Sequence, residues 1–259
     1  MNITVTGQRV LVTAGAAGIG RAIAETLLKA GARLHICDVD AKALAEAKKA
    51  MPGIGATLCD VADAAQVDQL FAEARATLGG LDALINNAGI AGPTAPVEEI
   101  EPKDWQRTLD INLTGQFLCA RRAVPMLKAA GGGSIVMMSS AAGRFGYPLR
   151  TPYSASKWAT IGLTESWAME LGPSRIRVNA ICPGIVEGPR IDKVIGAKAE
   201  ARGVSFEQMR ENYLNLSSLH TMVSAQDIAN MVLYLLSDAG RTISGQALSI
   251  DGNLESLKA

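Results

Sequence analysis

The chain has 259 residues, 48% of them hydrophobic, and its 25 basic residues are balanced by 25 acidic ones. That apolar content excludes a disordered chain, and the even charge balance offers nothing to a nucleic acid or an anionic membrane surface. No apolar run approaches the roughly 18 residues of a membrane span, and the opening "MNITVTGQRV" lacks the basic flank and long apolar stretch of a secretory leader, so a cytoplasmic location is expected.

The first half of the chain alternates. Residues 9–14 (RVLVTA) form a short run that is apolar on both faces, as a buried parallel strand needs. A glycine-rich turn follows. Ile19, Ile23, Leu27 and Ala30 then recur at helical spacing, with Gly31 as a stop. Strand 33–38, an Ala-rich helix ended by Met51-Pro52, strand 55–60, helix 63–78 and the strand "LDALINNAG" come next. After a loop with Pro93, Pro96 and Pro102, a long helical stretch runs from about 103 to 130, and Pro125 is predicted to kink or break it. Strand 133–140, helix 153–171, strand "IRVNAICPG", helix 226–237 and strand 247–251 complete the chain. Strands alternating with helices of this length predict an α/β fold whose parallel sheet is covered on both faces. No long linker or composition break divides the chain, so one domain over residues 1–259 is expected. Residues 188–225 are too long for an ordinary connection and read as a lid. The four cysteines, with no CxxC pair, read as buried free thiols, and His35 and His220 are too few for a histidine-rich metal site; no metal is expected.

The turn "TAGAAGIG" (13–20) lies between the first strand and the first helix. Glycines such as Gly15, Gly18 and Gly20 let a backbone approach a pyrophosphate, and the helix N-terminus offers unpaired N–H groups; a tight strand-to-helix turn is the plainer reading. Asp38 ends the next strand, 18 residues after Gly20, near the spacing at which a carboxylate meets an adenosine ribose. That carboxylate would repel a 2′-phosphate, and Val39 and Asp40 follow it rather than a basic residue, so NAD is expected over NADP. Asp60 ends the third strand and could accept from an adenine amino group, or cap helix 63–78, though Asp63 is better placed for the cap. "NNAG" (86–89) could tie neighbouring strands together, its small Ala88-Gly89 leaving room for a flat cofactor, or be a polar turn.

Tyr153 stands four residues before Lys157, on one helical face. An ordinary phenol titrates near pH 10 and is a poor base at neutrality. An ammonium about 4 Å away, at an effective dielectric of about 20, favours a phenolate by roughly 4 kcal/mol, which suits acid–base work. Ser140, 13 residues earlier, could donate to the oxygen that Tyr153 protonates, or be a strand-end hydroxyl. Asn112 could hold a water that passes protons to Lys157, or be a helix-packing amide.

Together these motifs resemble the short-chain dehydrogenase/reductase family over most of the chain. "TAGAAGIG" is similar to its cofactor turn, "NNAG" to its structural motif and "INLTG" to the segment holding its active-site asparagine; "GSIVMMSS", "YSASK" and "ICPG" resemble its serine strand, its Tyr/Lys motif and its post-strand Pro-Gly. The resemblance implies a Rossmann-like doubly wound parallel sheet of seven strands and a catalytic set of Ser140, Tyr153, Lys157 and Asn112. It implies a cofactor held by Gly15, Gly18, Ile19, Gly20, Asp38, Asp60, Val61, Asn87, Ala88, Gly89, Tyr153, Lys157, Pro183, Gly184 and Val186. It also implies a homotetramer, less often a dimer, built on the helices at 103–130 and 153–171. The sequence departs from the family in three places. Ala14 stands where a glycine is usual, which is tolerable if its backbone angle is negative. Gly188 stands where a threonine often contacts the cofactor's carboxamide, and Asn253 where a second glycine is common.

The expected activity is hydride transfer between NAD and a secondary alcohol or ketone. A 3-oxoacyl thioester reductase and a non-catalytic NAD(H)-binding regulator are the rivals. Lid charges such as Arg190, Asp192, Lys193, Lys198, Glu200 and Arg202 read as a solvated face, with Met209, Tyr213 and Leu216 as the apolar one. Arg144 and Arg150 flank the loop before Tyr153; either could hold a substrate carboxylate or phosphate, or lie on the surface.

Overall fold

A computed structural model describes residues 3–257. Seven strands, β1 (Arg9–Thr13), β2 (Arg33–Asp38), β3 (Gly55–Leu58), β4 (Ala83–Asn86), β5 (Gly133–Met138), β6 (Ile176–Pro183) and β7 (Ala247–Ile250), form one sheet in the order β3-β2-β1-β4-β5-β6-β7. Every pairing is parallel. The strand order reverses between β1 and β4, which opens a crevice at their carboxyl ends.

Strand β1 shows why the sheet is sandwiched. Val10 and Val12 point to one face and Leu11 to the other, and all three are fully buried. On the Val10 face pack α1 (Gly18–Lys29), α2 (Ala41–Ala50) and α9 (Ala225–Leu236), through residues such as Ile23, Leu27, Leu44, Ile228 and Val232. The Leu11 face is covered by α3 (Ala64–Leu78), α5 (Gly115–Ala129) and α6 (Thr151–Leu171), with Leu70, Phe71, Cys119, Ala123 and Leu171. Asp63 caps α3, accepting from the backbone N–H groups of Ala65 and Gln66. The four cysteines are buried free thiols.

The long helix behaves differently from expectation. It runs as α4 (Pro102–Leu109), a π-turn at Asp110–Thr114 and α5, and Pro125 sits inside α5 without ending it. Pro125 and Arg121, whose carbonyl loses its partner, are both exposed, so water can take the freed acceptor. The irregularity falls at Asn112 instead. The segment expected to be a lid comprises α7 (Pro189–Arg202) and α8 (Phe206–Leu214), which pack on each other around an apolar cluster with Ile195, Ala199, Met209 and Met222. The Arg190 side chain lies outside the described residues. The strip before α7 is bridged in parallel to the strip after α8, Val186 to Val223.

His35 is a structural histidine. Its ring is buried between the hydroxyls of Thr57 and Thr77, each 2.8 Å away. Burial pushes it down from 6.5 to about 4. The unfolded chain therefore binds the extra proton first as pH falls. The resulting stability is fully present above pH 6.5 and fades as pH drops through 4. It amounts to roughly 3 kcal/mol. Thermal melts are expected to show a shallower fall between pH 7 and pH 4 for His35→Gln than for the native chain; parallel profiles would rule this out.

Candidate active site

A cavity of about 730 Å³ lies along the carboxyl ends of the central strands. At one end is the glycine turn. Helix α1 has no side-chain cap and no acidic residue in its first turn, so its leading N–H groups are open to an anion. A Cβ on Gly20 would stand 1.9 Å from the Ala14 carbonyl oxygen and 2.6 Å from the Asn87 amide nitrogen, so only glycine allows this turn. Asn87 Nδ2 donates to the carbonyls of Thr13 and Ala14, at 3.0 and 3.1 Å. Thr13 Oγ1 accepts from the N–H groups of Asn87 and Ala88. The polar residues after β4 thus fasten the turn to the neighbouring strand. Ala14 itself has φ 48, which corrects the expectation of a negative angle; a methyl in this left-handed region costs about 1 kcal/mol.

Asp38 lines the cavity beside the turn, its Oδ2 accepting from Ala16 N at 3.2 Å. Arg21, the first basic residue after the turn, is paired with Glu25 at 2.6 Å. Gly18, Ile19, Gly20, Asn87 and Gly89 also face the cavity, as do Pro183, Gly184 and Val186 from the end of β6. Gly184 is needed where it is, because a Cβ there would stand 2.7 Å from that of Asp251.

Gly15, Val61, Ala88 and Asn112 are buried behind the wall, and Asp60 is half-buried beside it. Gly15 lets the turn close on Ile36, against which a Cβ would stand at 2.8 Å. The Asp60 carboxylate is occupied by Arg107, at 2.7 Å, and by the N–H of Ala62. Val61 packs on Gly115.

At the other end stand Ser140, Tyr153 and Lys157. Ser140 follows β5 and accepts from Ala142 N at 3.2 Å, capping a short turn. Tyr153 and Lys157 share a face of α6. The Lys157 Nζ is buried, lies 5.6 Å from the Tyr153 ring centre and donates to the Met138 carbonyl at 2.8 Å. Ser139 Oγ donates to the Lys157 carbonyl, seating α6 against β5. Asn112 is fully buried at the π-turn. Its Oδ1 accepts from Ile90 N at 2.8 Å, while its Nδ2 donates to Ile90 O and Ser156 Oγ at 2.9 and 3.1 Å. The amide clamps the loop after β4 to α6, and a Cβ on Gly89 would touch both Asn112 Oδ1 and Lys157 Nζ, at 3.3 and 3.4 Å. Asn112 thus lies next to Lys157 without reaching the cavity. Among the described residues no cluster of side chains could hold a metal ion, and no helix is long and apolar enough to cross a membrane.

A family model described as enoyl-(acyl carrier protein) reductase matches residues 14–254. The chain belongs to the short-chain dehydrogenase/reductase family. This short-chain dehydrogenase/reductase is 38% identical to a trans-4-hydroxycyclohexanecarboxylate dehydrogenase of Sinomonas cyclohexanicum, over 93% of its own length and 90% of the relative's. It is 37% identical to a putative ketoacyl reductase of the granaticin polyketide synthase of Streptomyces violaceoruber, over 94% and 92% of the two chains. An NAD+-bound xylitol dehydrogenase superposes with a TM-score of 0.90 at 30% identity, covering 96% of this chain and 99% of that one. The short-chain dehydrogenase/reductase is accordingly an oxidoreductase of the hydride-transferring kind.

The sequence left several wall residues unread: Tyr147, Thr94 and Ile191 all face the cavity. Arg150, read as a possible holder of a substrate anion, faces it too, as do Tyr213 and Leu216 from the apolar face expected of residues 188–225; Met209, expected with them, is buried inside that segment instead. Arg144 is exposed and donates to Ser249 Oγ at 2.7 Å, whereas Arg150 is 9% exposed, which overturns its surface reading. The lid helices carried signals of their own: Gly188-Pro189 as a start, Gly203 as a stop, and Ser205 with Gln208 as a capping box.

Proposed function

We propose that the protein is an NAD(H)-dependent oxidoreductase acting on a secondary alcohol or its ketone, with Tyr153 as general acid/base. The observation that carries this reading is the meeting of Tyr153, Lys157 and Ser140 on the wall of the same cavity as the glycine turn and Asp38. The open N-terminus of α1 and the glycines that no Cβ could replace suit a pyrophosphate, so the residues present fit a dinucleotide. Bound there, the nicotinamide cofactor supplies the hydride acceptor or donor.

In this reading the chain's own groups handle the oxygen and its proton. Ser140 Oγ donates to the substrate oxygen, and the Tyr153 hydroxyl exchanges that oxygen's proton. Lys157 brings positive charge beside the Tyr153 ring, where charge develops as the proton leaves. Asn112 acts through Lys157, fixing the loop at Ile90 and thereby the wall that Gly89 presents to the ammonium. Asp38 accepts from the adenosine ribose hydroxyls. Among the described residues no basic side chain of the cavity wall stands beside it, which favours NAD over NADP.

A non-catalytic NAD(H) sensor would have little need of this proton-handling set. The test is oxidation of NADH at 340 nm with cyclohexanone, 4-oxocyclohexanecarboxylate, xylulose and 3-oxoacyl thioesters, each compared with Tyr153→Phe. Turnover confined to thioesters with NADPH would favour the ketoacyl reductase instead.

A cytoplasmic homotetramer is part of the same proposal. Phe117 on α5 and Trp158 and Met169 on α6 are 48%, 52% and 82% exposed, and large apolar side chains clustered on two long helices suit a subunit interface. Light scattering is expected to give four times the 27.1 kDa chain mass; a monomer mass would refute the assembly.

A further inference from the structure

Arg150 is a buried cation without an anion. It is 9% exposed, and among the described residues no carboxylate lies within 4 Å of it. Its Nη1 donates to Thr94 Oγ1 at 3.2 Å and its Nη2 to the Ala91 carbonyl at 2.8 Å. Its Nε is buried with no partner at all. A guanidinium has five N–H donors, so three remain for a ligand. The rings of Tyr147 and Tyr153 each lie 5.4 Å from its central carbon, a partial compensation for a charge withdrawn from water.

Two further observations point the same way. Tyr213, on lid helix α8, lines the same cavity, and its hydroxyl is also buried and unpartnered. Burial pushes this phenol up, while Arg202 and Arg150 pull it the other way, so the guanidinium is close enough to be felt. Leu149, immediately before Arg150, has φ 66, a conformation a branched residue adopts only under constraint. Two orphaned buried donors and a strained approach make a site that is incomplete by itself. Among the described residues, the other charged side chains on the cavity wall are Asp38, Glu187 and Lys157; Asp38 lies at the glycine turn and Glu187 is exposed.

We propose that Arg150, with the Tyr213 hydroxyl, binds a carboxylate of the substrate, so that the substrate is a hydroxy acid or its keto acid. This deepens the proposed function and rests on the cavity beside Tyr153 being the substrate site. The planar guanidinium fork offers the paired N–H donors that a planar carboxylate accepts. Arg150 and Tyr153 stand one turn apart at the start of α6, so the carboxylate and the carbinol belong to one small molecule and lie few bonds apart. The Tyr213 contact makes the carboxylate a ligand of the lid as well as of the floor.

The test is calorimetric binding of benzoate, cyclohexanecarboxylate and 4-oxocyclohexanecarboxylate, each against its primary amide, with and without saturating NADH. The expected result is tighter binding of at least one acid than of its amide by tenfold or more. That preference should fall to threefold or less in Arg150→Met, in part in Arg150→Lys, and by several-fold in Tyr213→Phe. Because the readout is a ratio, a general loosening of the 91–95 loop in the variants does not imitate it. Equal binding of every acid and amide by the native protein overturns the proposal, and so does an acid preference that survives in both Arg150→Met and Tyr213→Phe. Failure of the hydride-transfer reading appears separately, as acid-selective binding with no NADH turnover on any ketone.

Discussion

Replacing Tyr153 by Phe is expected to lower kcat for ketone reduction by about 10³-fold, within the range removed with a general acid/base. That corresponds to roughly 4 kcal/mol of barrier. The variant is clean because the ring does two jobs and the hydroxyl only one. The ring lies 5.4 Å from the Arg150 guanidinium carbon and 5.6 Å from Lys157 Nζ, and phenylalanine keeps both contacts. Tyr153 is half-buried, and its hydroxyl gives up no hydrogen bond among the described residues. NADH binding, followed by fluorescence, should therefore stay within about threefold of the native value while the absorbance change at 340 nm collapses. Residual kcat above one tenth of native would show that another group moves the proton.

The second large effect concerns the cofactor. Asp38→Ala with Val39→Arg is expected to change the ratio of kcat/KM for NAD over NADP by at least about 100-fold in favour of NADP. Two hydrogen bonds donated by ribose hydroxyls to a charged carboxylate contribute about 1.5–3 kcal/mol each, and tenfold is about 1.4 kcal/mol. Val39 is exposed next to the carboxylate, so an arginine there has room to meet a 2′-phosphate. Asp38 also accepts from Ala16 N, so the variant loosens the turn for both cofactors; the ratio removes that shared loss. A native enzyme that already prefers NADP by tenfold would end the idea, as would a ratio unmoved in the variant.

Much of the fold is legible because its signals are local. Val10, Leu11 and Val12 have to be buried on both faces, and no arrangement but a covered parallel strand does this at such short length. Several residues that reach the cavity sit at the ends of such strands, which is why Asp38, Asn87 and Ser140 could be read from position, whereas Pro183 came only with the family resemblance. What failed depended on geometry beyond the neighbouring residues. Ala14 gave no sign of its positive φ, because the fastening by Asn87 that holds it comes from 73 residues away. Pro125 looked disruptive, yet its effect depends on which side of α5 meets water. The π-turn at Asn112 answers to Ile90, 22 residues away, and has no periodicity to betray it. Arg150 sits in a polar-looking loop; only the folding of residues 91–94 over it and of α8 across the cavity makes it an interior charge.

The bridge between Val186 and Val223 has a consequence for how such proteins diversify. Glu187 N donates to Val223 O at 2.9 Å and Val223 N to Ile185 O at 2.8 Å, so the chain leaves and re-joins the sheet layer at a pinched neck, and Ser217, bridged to Leu254, stitches it to the strip after β7. Everything between is a handle whose apolar filling it shares with Ala141 and Leu254. Such a handle can be exchanged or lengthened while the strand that carries Asp38 stays as it is, provided the replacement keeps the seam with residues 252–255, so new substrates become reachable through one contiguous genetic replacement.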